Sequence, residues 1–314
     1  MWINRPLFGT KYSHLNLPSG NLRFSITSKC NMNCRYCHRE GGRVKNELPY
    51  VDVLRIIEKI ASCGLRKIRL TGGEALLHKD IFKICQKIKT RFPDVALEVT
   101  TNGMAIDILL RLINAGYLDL VVVGIDYYDA PVSKNATVGC SSKEILGNIL
   151  KIKSVGGNVC VTSVFNGDLN NTEQMIDWGI RNNVHYLNIL EEITNEVADR
   201  PGIAFLNMMN HLADKYCLRF VYNKTKTHYF AILPNNNYIN FFHSHCRLRE
   251  CESCARAFLR VSCDGKITQC LHPDTPEFPL LDEQNFQENF RAALTYLGTP
   301  PEKFSRKDLD FDCR

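Results

Sequence analysis

No apolar run of about 18 residues occurs in this chain, so no segment reads as a membrane-spanning helix. The first residues, MWINRPLFGTKYSHLNLPSG, lack the basic-then-apolar order of an export signal. Lys and Arg form no dense tract. The formal net charge of +6 is spread over 314 residues, a balance that fits an anionic small molecule better than a nucleic-acid duplex. Between Leu22 and Leu190 there is neither an internal repeat nor a low-complexity segment, which excludes a solenoid. These absences leave a globular chain expected to be soluble and cytoplasmic. With 45% hydrophobic and 23% charged residues it is long enough for one large α/β domain and a smaller appendage.

Cysteine is what the chain has in excess. Fourteen would mean disulfides in a small secreted protein, but in a long chain without an export signal reduced thiols and metal ligation fit better. Cys30, Cys34 and Cys37 lie together, and Cys246, Cys251, Cys254, Cys263 and Cys270 form a second group. Cys63, Cys85, Cys140, Cys160, Cys217 and Cys313 have no metal spacing and read as inert.

Short apolar runs alternate with longer amphipathic ones. The pattern predicts strands at 22–27, 66–71, 95–101, 118–125, 157–164 and 184–190, with helices at 50–63, 80–91, 105–115, 143–154 and 172–182. Six strands with helices between them imply a parallel sheet whose working residues sit at the carboxyl ends of its strands. After Glu191 the rhythm changes: a helix near 201–216, short strands in HYFAIL and NYINFF, a cysteine-rich stretch with a hairpin turned at Asp264-Gly265, and a last helix near 284–297. Two parts are therefore expected, 1–195 and 196–314, with a weakly ordered tail after Gly298.

In SITSKCNMNCRYCHRE the spacing C-x3-C-x2-C follows the first strand directly. It brings three thiolates to three corners of a cubane and leaves one iron open. An open iron can chelate the amino and carboxylate groups of S-adenosylmethionine (SAM) and pass an electron to its sulfonium, releasing a 5′-deoxyadenosyl radical that abstracts hydrogen. A zinc site completed by His38 is the rival. The second strand ends in RLTGGEALL, where Gly72 and Gly73 allow backbone to approach a ligand and Glu74 offers an acceptor for an ammonium group. The third ends in VTTNG, placing Thr100, Thr101 and Asn102 at the same end, and three polar ends in register point to one shared ligand.

The sequences LRFSITSKCNMNCRYCHREGG, RLTGGEALLHKDI and TTNGM…INAGYLDLVVVGID resemble the radical SAM GTP 3′,8-cyclases of molybdenum-cofactor biosynthesis, and the His-Arg-Glu-Gly after the third cysteine is similar to archaeal members. The resemblance covers roughly residues 20 to 275. It implies a partial TIM-like barrel of six β/α units with a smaller C-terminal Fe–S subdomain. It also implies a SAM cluster on Cys30, Cys34 and Cys37, with Gly72, Gly73 and Glu74 at the SAM methionine moiety and Thr101 near SAM; Asn102 is taken with them as a cofactor-side residue. Where the family has a SAM-contacting Ser in Ser-Leu-Asp, this chain has Gly124-Ile125-Asp126.

Cys251 and Cys254 form a C-x2-C pair, and Cys270 follows beyond the hairpin. From the residues alone this is a structural zinc site closed by Cys246 or Cys263, or an Fe–S site. The resemblance implies that Cys251, Cys254 and Cys270 hold a second [4Fe–4S] cluster whose open iron binds the substrate purine; here the last spacing is two residues longer than in the family, which leaves room for Cys246 or Cys263 as a fourth ligand. Family arginines that contact GTP are matched by Arg23 and Arg256; a third meets Phe258, with Arg260 able to replace it. Two features depart from the family: Asn188 stands at its strand-six arginine, with Glu191 retained nearby, and the sequence closes on Phe-Asp-Cys-Arg where bacterial members have Gly-Gly.

The expectation is thus a two-cluster radical SAM enzyme acting on a nucleotide-like small molecule, with SAM and two [4Fe–4S] clusters as cofactors and a flavodoxin or ferredoxin as electron donor. A different nucleoside or a peptide is the second reading. A non-catalytic zinc or Fe–S module that binds nucleic acid through Arg247, Arg249, Arg256 and Arg260 is the third.

Overall fold

The computed structural model describes residues 17–32, 34, 37, 46–129, 141–192, 203–223, 228–242, 259–268 and 276–295. Six parallel strands form its centre: β1 (Asn21–Ser25), β2 (Lys67–Thr71), β3 (Ala96–Thr101), β4 (Leu120–Gly124), β5 (Val159–Phe165) and β6 (Tyr186–Glu191). Helices α1 (Tyr50–Ala61), α2 (Ile81–Arg91), α3 (Ile106–Asn114), α4 (Ser142–Ser154) and α5 (Leu169–Arg181) alternate with them. All eleven elements fall where periodicity predicts. The largest shift is at α5, which begins three residues early because the Asp168 carboxylate accepts from Asn171 N–H and caps the helix there.

In α1 the apolar positions Val53, Ile56, Ile57 and Ile60 recur at helical spacing and are fully buried, and Ser62 and Gly64, the latter at φ +83°, end the helix. Along the strands Leu22, Phe24, Ile68, Leu70, Leu97, Val99, Val121, Val123, Leu187 and Ile189 turn toward the helices and are almost wholly buried. Burying that apolar area is what holds the layers together, at about 25 cal/mol for each Å² removed from water.

The remaining described elements are α6 (Ile203–Tyr216), β7 (Val221–Asn223), β8 (His228–Ile232), β9 (Tyr238–Phe242), β10 (Leu259–Val261), β11 (Lys266–Thr268), β12 (Phe278–Pro279) and α7 (Phe286–Thr295). The strands that follow Glu191 continue the central sheet at both of its edges. β9 pairs parallel to β6, and β10 pairs parallel to β1, giving one sheet in the order β12-β11-β10-β1-β2-β3-β4-β5-β6-β9-β8-β7. Periodicity missed β7 and β12 because two or three residues are too short for a pattern. The β10–β11 turn is the expected hairpin, with Gly265 at φ +73°. Among the described residues no helix is long and apolar enough to cross a membrane.

Candidate active site at the carboxyl ends of the strands

The loop after β1 carries the first cysteine triad. Cys30, Cys34 and Cys37 take part in no disulfide, and Cys30 and Cys37 are exposed. Burial is the main reason that the Cys34 thiol is pushed up to about 12; the Asp126 carboxylate and the two neighbouring cysteines add to it. Cys30 is also raised, by burial first and then by the charges of Glu74 and Cys37. The three thiols thus sense one another across one loop and would give up their protons to a metal. Among the described residues no group of three or more His, Cys, Asp or Glu side chains is gathered tightly enough to hold a single ion. His38 lies outside the described residues.

The β2 end explains its glycines. Gly73 N–H donates to Thr27 O at 2.8 Å and Glu74 N–H to Lys29 O at 2.7 Å, so the Gly-Gly-Glu turn is bonded to the backbone of the cysteine loop. A Cβ on Gly72 would stand 2.3 Å from Thr27 O, and one on Gly73 2.3 Å from Lys29 O. What approaches these glycines closely in this structure is the cysteine loop itself.

Glu74 is 2% exposed, and its carboxylate is occupied. It accepts from Leu76 N–H at 3.1 Å, from Asn102 N–H at 2.7 Å and from the Thr101 hydroxyl, while burial raises its proton affinity. Asn102 then links onward: its Nδ2 donates to Asn31 Oδ1 at 2.7 Å, and its Oδ1 accepts from Met104 N–H. Thr101 is 3% exposed and accepts from Gly103 N–H. The three predicted motifs therefore meet, and Asn31, between the first two cysteines, joins them. Behind the turn, buried His78 pins the chain by bonds to Leu48 O and Asp80 N–H.

Asp126, just beyond β4, is a further acid beside the triad. Burial lifts its carboxyl to about 6, against the bond it accepts from Val164 N–H; the charge of Glu192 adds to the rise. Its backbone carbonyl accepts from Asn171 Nδ2 at 2.6 Å, which ties the loop to α5.

The face of the sheet turned away from the helices is polar. Arg23 stands in register with Arg260 on one side and Arg69 on the other, and Arg69 with Glu98. Glu98 accepts from Arg69 Nε at 2.7 Å and Nη2 at 2.6 Å, and Lys67 reaches it at 3.5 Å. Farther along, Asn188 Nδ2 donates to Cys160 Sγ at 3.0 Å and to Thr162 Oγ1 at 3.3 Å, and Asn188 Oδ1 accepts from Asn240 Nδ2 at 2.9 Å. In the sequence Cys160 reads as inert, Asp126 stands out only within Gly124-Ile125-Asp126, and no motif marks Asn31, Asn240 or Arg69. The available signal was polar residues at alternate positions in Val-Cys-Val-Thr and Tyr-Ile-Asn, unusual in central parallel strands that are normally apolar on both faces. Glu191 is buried at the end of β6. Cys63 and Cys85 are core residues, and Cys263 is buried in the β10–β11 turn with its carbonyl bonded to Asn46. Cys246, Cys251, Cys254, Cys270, Arg247, Arg249, Arg256, Phe258 and the tail after Gly298 lie outside the described residues.

The cysteine loop, the glycine-acid turn and the Thr-Asn end are thus gathered at one edge of a parallel α/β sheet. Residues 24–178, just under half of the chain, match the Radical SAM superfamily model, and a radical SAM domain there supports an enzyme. It is similar to a probable GTP 3′,8-cyclase of Thermococcus kodakarensis, 38% identical over 128 residues, which is 40% of this chain and 41% of that one. That match spans about two fifths of the relative's length. A probable GTP 3′,8-cyclase of Methanocaldococcus jannaschii is 29% identical over 265 residues, 81% of this chain and 85% of the other. Streptococcus suis SuiB, solved bound to S-adenosylmethionine, shares the fold at a TM-score of 0.64 and 13% identity, over 91% of this chain and 68% of that one. Three thiols outside any disulfide, beside a bonded polar frame, fit an Fe–S cluster with SAM as the group the family uses.

Proposed function

We infer that the chain is a two-cluster radical SAM enzyme that abstracts hydrogen from a nucleotide-like substrate and rearranges or cyclises it, as a GTP 3′,8-cyclase does. The observation that carries the substrate class is the row Arg260, Arg23 and Arg69 in register on neighbouring strands of the polar face. Guanidinium forks match phosphate oxygens in shape and charge. Lys67 lies on the same strand as Arg69, and both reach the Glu98 carboxylate.

With SAM on a [4Fe–4S] cluster held by Cys30, Cys34 and Cys37, the cofactor would supply the electron and the adenosyl radical that removes hydrogen. The protein's part is positional. Gly72 and Gly73 let the cysteine loop and the β2 end lock together, and Glu74 and Asn102 brace that lock from β3. Gly72, Gly73, Glu74, Thr101 and Asn102 are assigned to the SAM side, and Arg23 and Arg256 to the substrate. The part 196–314 is assigned the second cluster, on Cys251, Cys254 and Cys270, with Cys246 or Cys263 as a fourth ligand in the closed alternative. A flavodoxin or ferredoxin would deliver the electron, in the cytoplasm.

Incubation of the anaerobically reconstituted enzyme with GTP, SAM and reductant tests this. A pterin-forming product supports cyclase activity; 5′-deoxyadenosine without it leaves SAM cleavage standing and removes GTP. The second reading, a radical SAM enzyme for another nucleoside or a peptide, is favoured by one observation: a neutral Asn188–Cys160 pair stands where a strand-six arginine would be.

A further inference from the structure

Cys160, Thr162, Asn188 and Asn240 form a cluster that the chemistry above does not use. Register sets Thr162, Asn188 and Asn240 side by side on β5, β6 and β9, with Cys160 one pleat away on the same face. Asn188 is consumed by its neighbours: its amide nitrogen serves Cys160 and Thr162, and its carbonyl serves Asn240. It orients rather than reads. Asn240 has committed one amide hydrogen, and a carboxamide carries two, plus a carbonyl. It therefore presents an acceptor next to a donor.

The cluster is uncharged, since burial pushes the Cys160 thiol up to about 11 and keeps it protonated near neutrality. Arg69 and Glu98 both act electrostatically on that thiol, so the arginine row and the amide cluster face the same space. Among the described residues the hydrogen bonds of the amide cluster come from neutral side chains, so a polyphosphate extended into it would lose water there without a direct ion pair, which is costly.

The geometry points to a divided recognition surface: Asn240, oriented by Asn188, reads an uncharged donor–acceptor edge of the substrate, such as an amide, lactam or nucleobase edge. The anionic group is confined to the arginine row. This rests on the nucleotide-like reading and sharpens it: one phosphate suffices, and a triphosphate adds no affinity. Asn188 is a positioning residue and Asn240 the contact.

Equilibrium dialysis of the reconstituted, SAM-loaded enzyme tests this with guanosine 5′-monophosphate, guanosine 5′-triphosphate, inorganic phosphate and tripolyphosphate. The two nucleotides are expected to bind within about threefold of each other, and Asn240→Leu to weaken both by about tenfold or more while inorganic phosphate stays within about threefold. Asn188→Arg, which adds a cation to the neutral sector, is expected to make the triphosphate the tighter ligand by about tenfold. A wild-type preference of about tenfold for the triphosphate overturns the proposal, as does unchanged nucleotide affinity in Asn240→Leu at wild-type iron content. If neither nucleotide binds, the nucleotide reading fails by itself and the inorganic pair decides. Equal binding of phosphate and tripolyphosphate sustains the single-anion surface; tighter tripolyphosphate binding, or none of either, overturns it.

Discussion

On the covered face of the sheet, Leu22, Phe24, Ile68, Leu97, Val121, Leu187, Ile239 and Phe241 are buried under helices. On the other face, one residue away along the same strands, stand Arg23, Arg69, Glu98, Cys160, Asn188 and Asn240. The first set is interchangeable with other apolar residues of similar volume, because only area and packing matter there. The second set is particular: Glu98 holds Arg69 and Lys67, and Asn188 holds three neighbours. Hydrogen bonds between named partners do not survive a swap, so the work of the molecule is assigned to that face and to the strand ends above it.

The difference can be broken from either side. Phe241→Ala should have the largest effect on stability, about 3–5 kcal/mol, because its fully buried ring packs against Phe205 and Phe220. Chemical denaturation reads the loss, while iron per folded chain should stay at the wild-type value; a proportional loss of iron would mean that the two faces are not separable. Gly73→Ala comes next. Its Cβ would meet Lys29 O, so the loop must shift and strain the bonds that Gly73 and Glu74 make to it, at a cost of about 1–3 kcal/mol. Iron analysis should show the first cluster under-loaded, and full loading with unchanged stability would show that the close approach is not required. Arg23→Ala is smaller in stability, about 1 kcal/mol or less, but should weaken nucleotide binding about tenfold or more. Arg55→Ala, whose pair with Asp52 is exposed, is the control: about 0.5 kcal/mol at most and no change in binding.

Much of this was legible along the chain. The order of six strands and five helices follows from periodicity, and the three motifs at 30–37, 72–74 and 100–102 do meet, because a parallel sheet puts consecutive strand ends on one edge. The ligand expected beside Gly72 and Gly73 was less legible: a glycine pair says that something comes close, not what, and the cysteine loop does so here. The strands after Glu191 were hardest. Their runs of three to five residues carry too little pattern to say that β10 returns to β1 and β9 to β6.

The sequence by itself determined that three thiols lie within eight residues, a local property that no folding detail can alter. It also determined the layering, through apolar period. Only the tertiary structure decided which polar residues share a surface. Arg23, Arg69 and Arg260, or Cys160, Asn188 and Asn240, lie far apart in the chain and become neighbours through strand register, and register depends on the whole sheet closing over its helices.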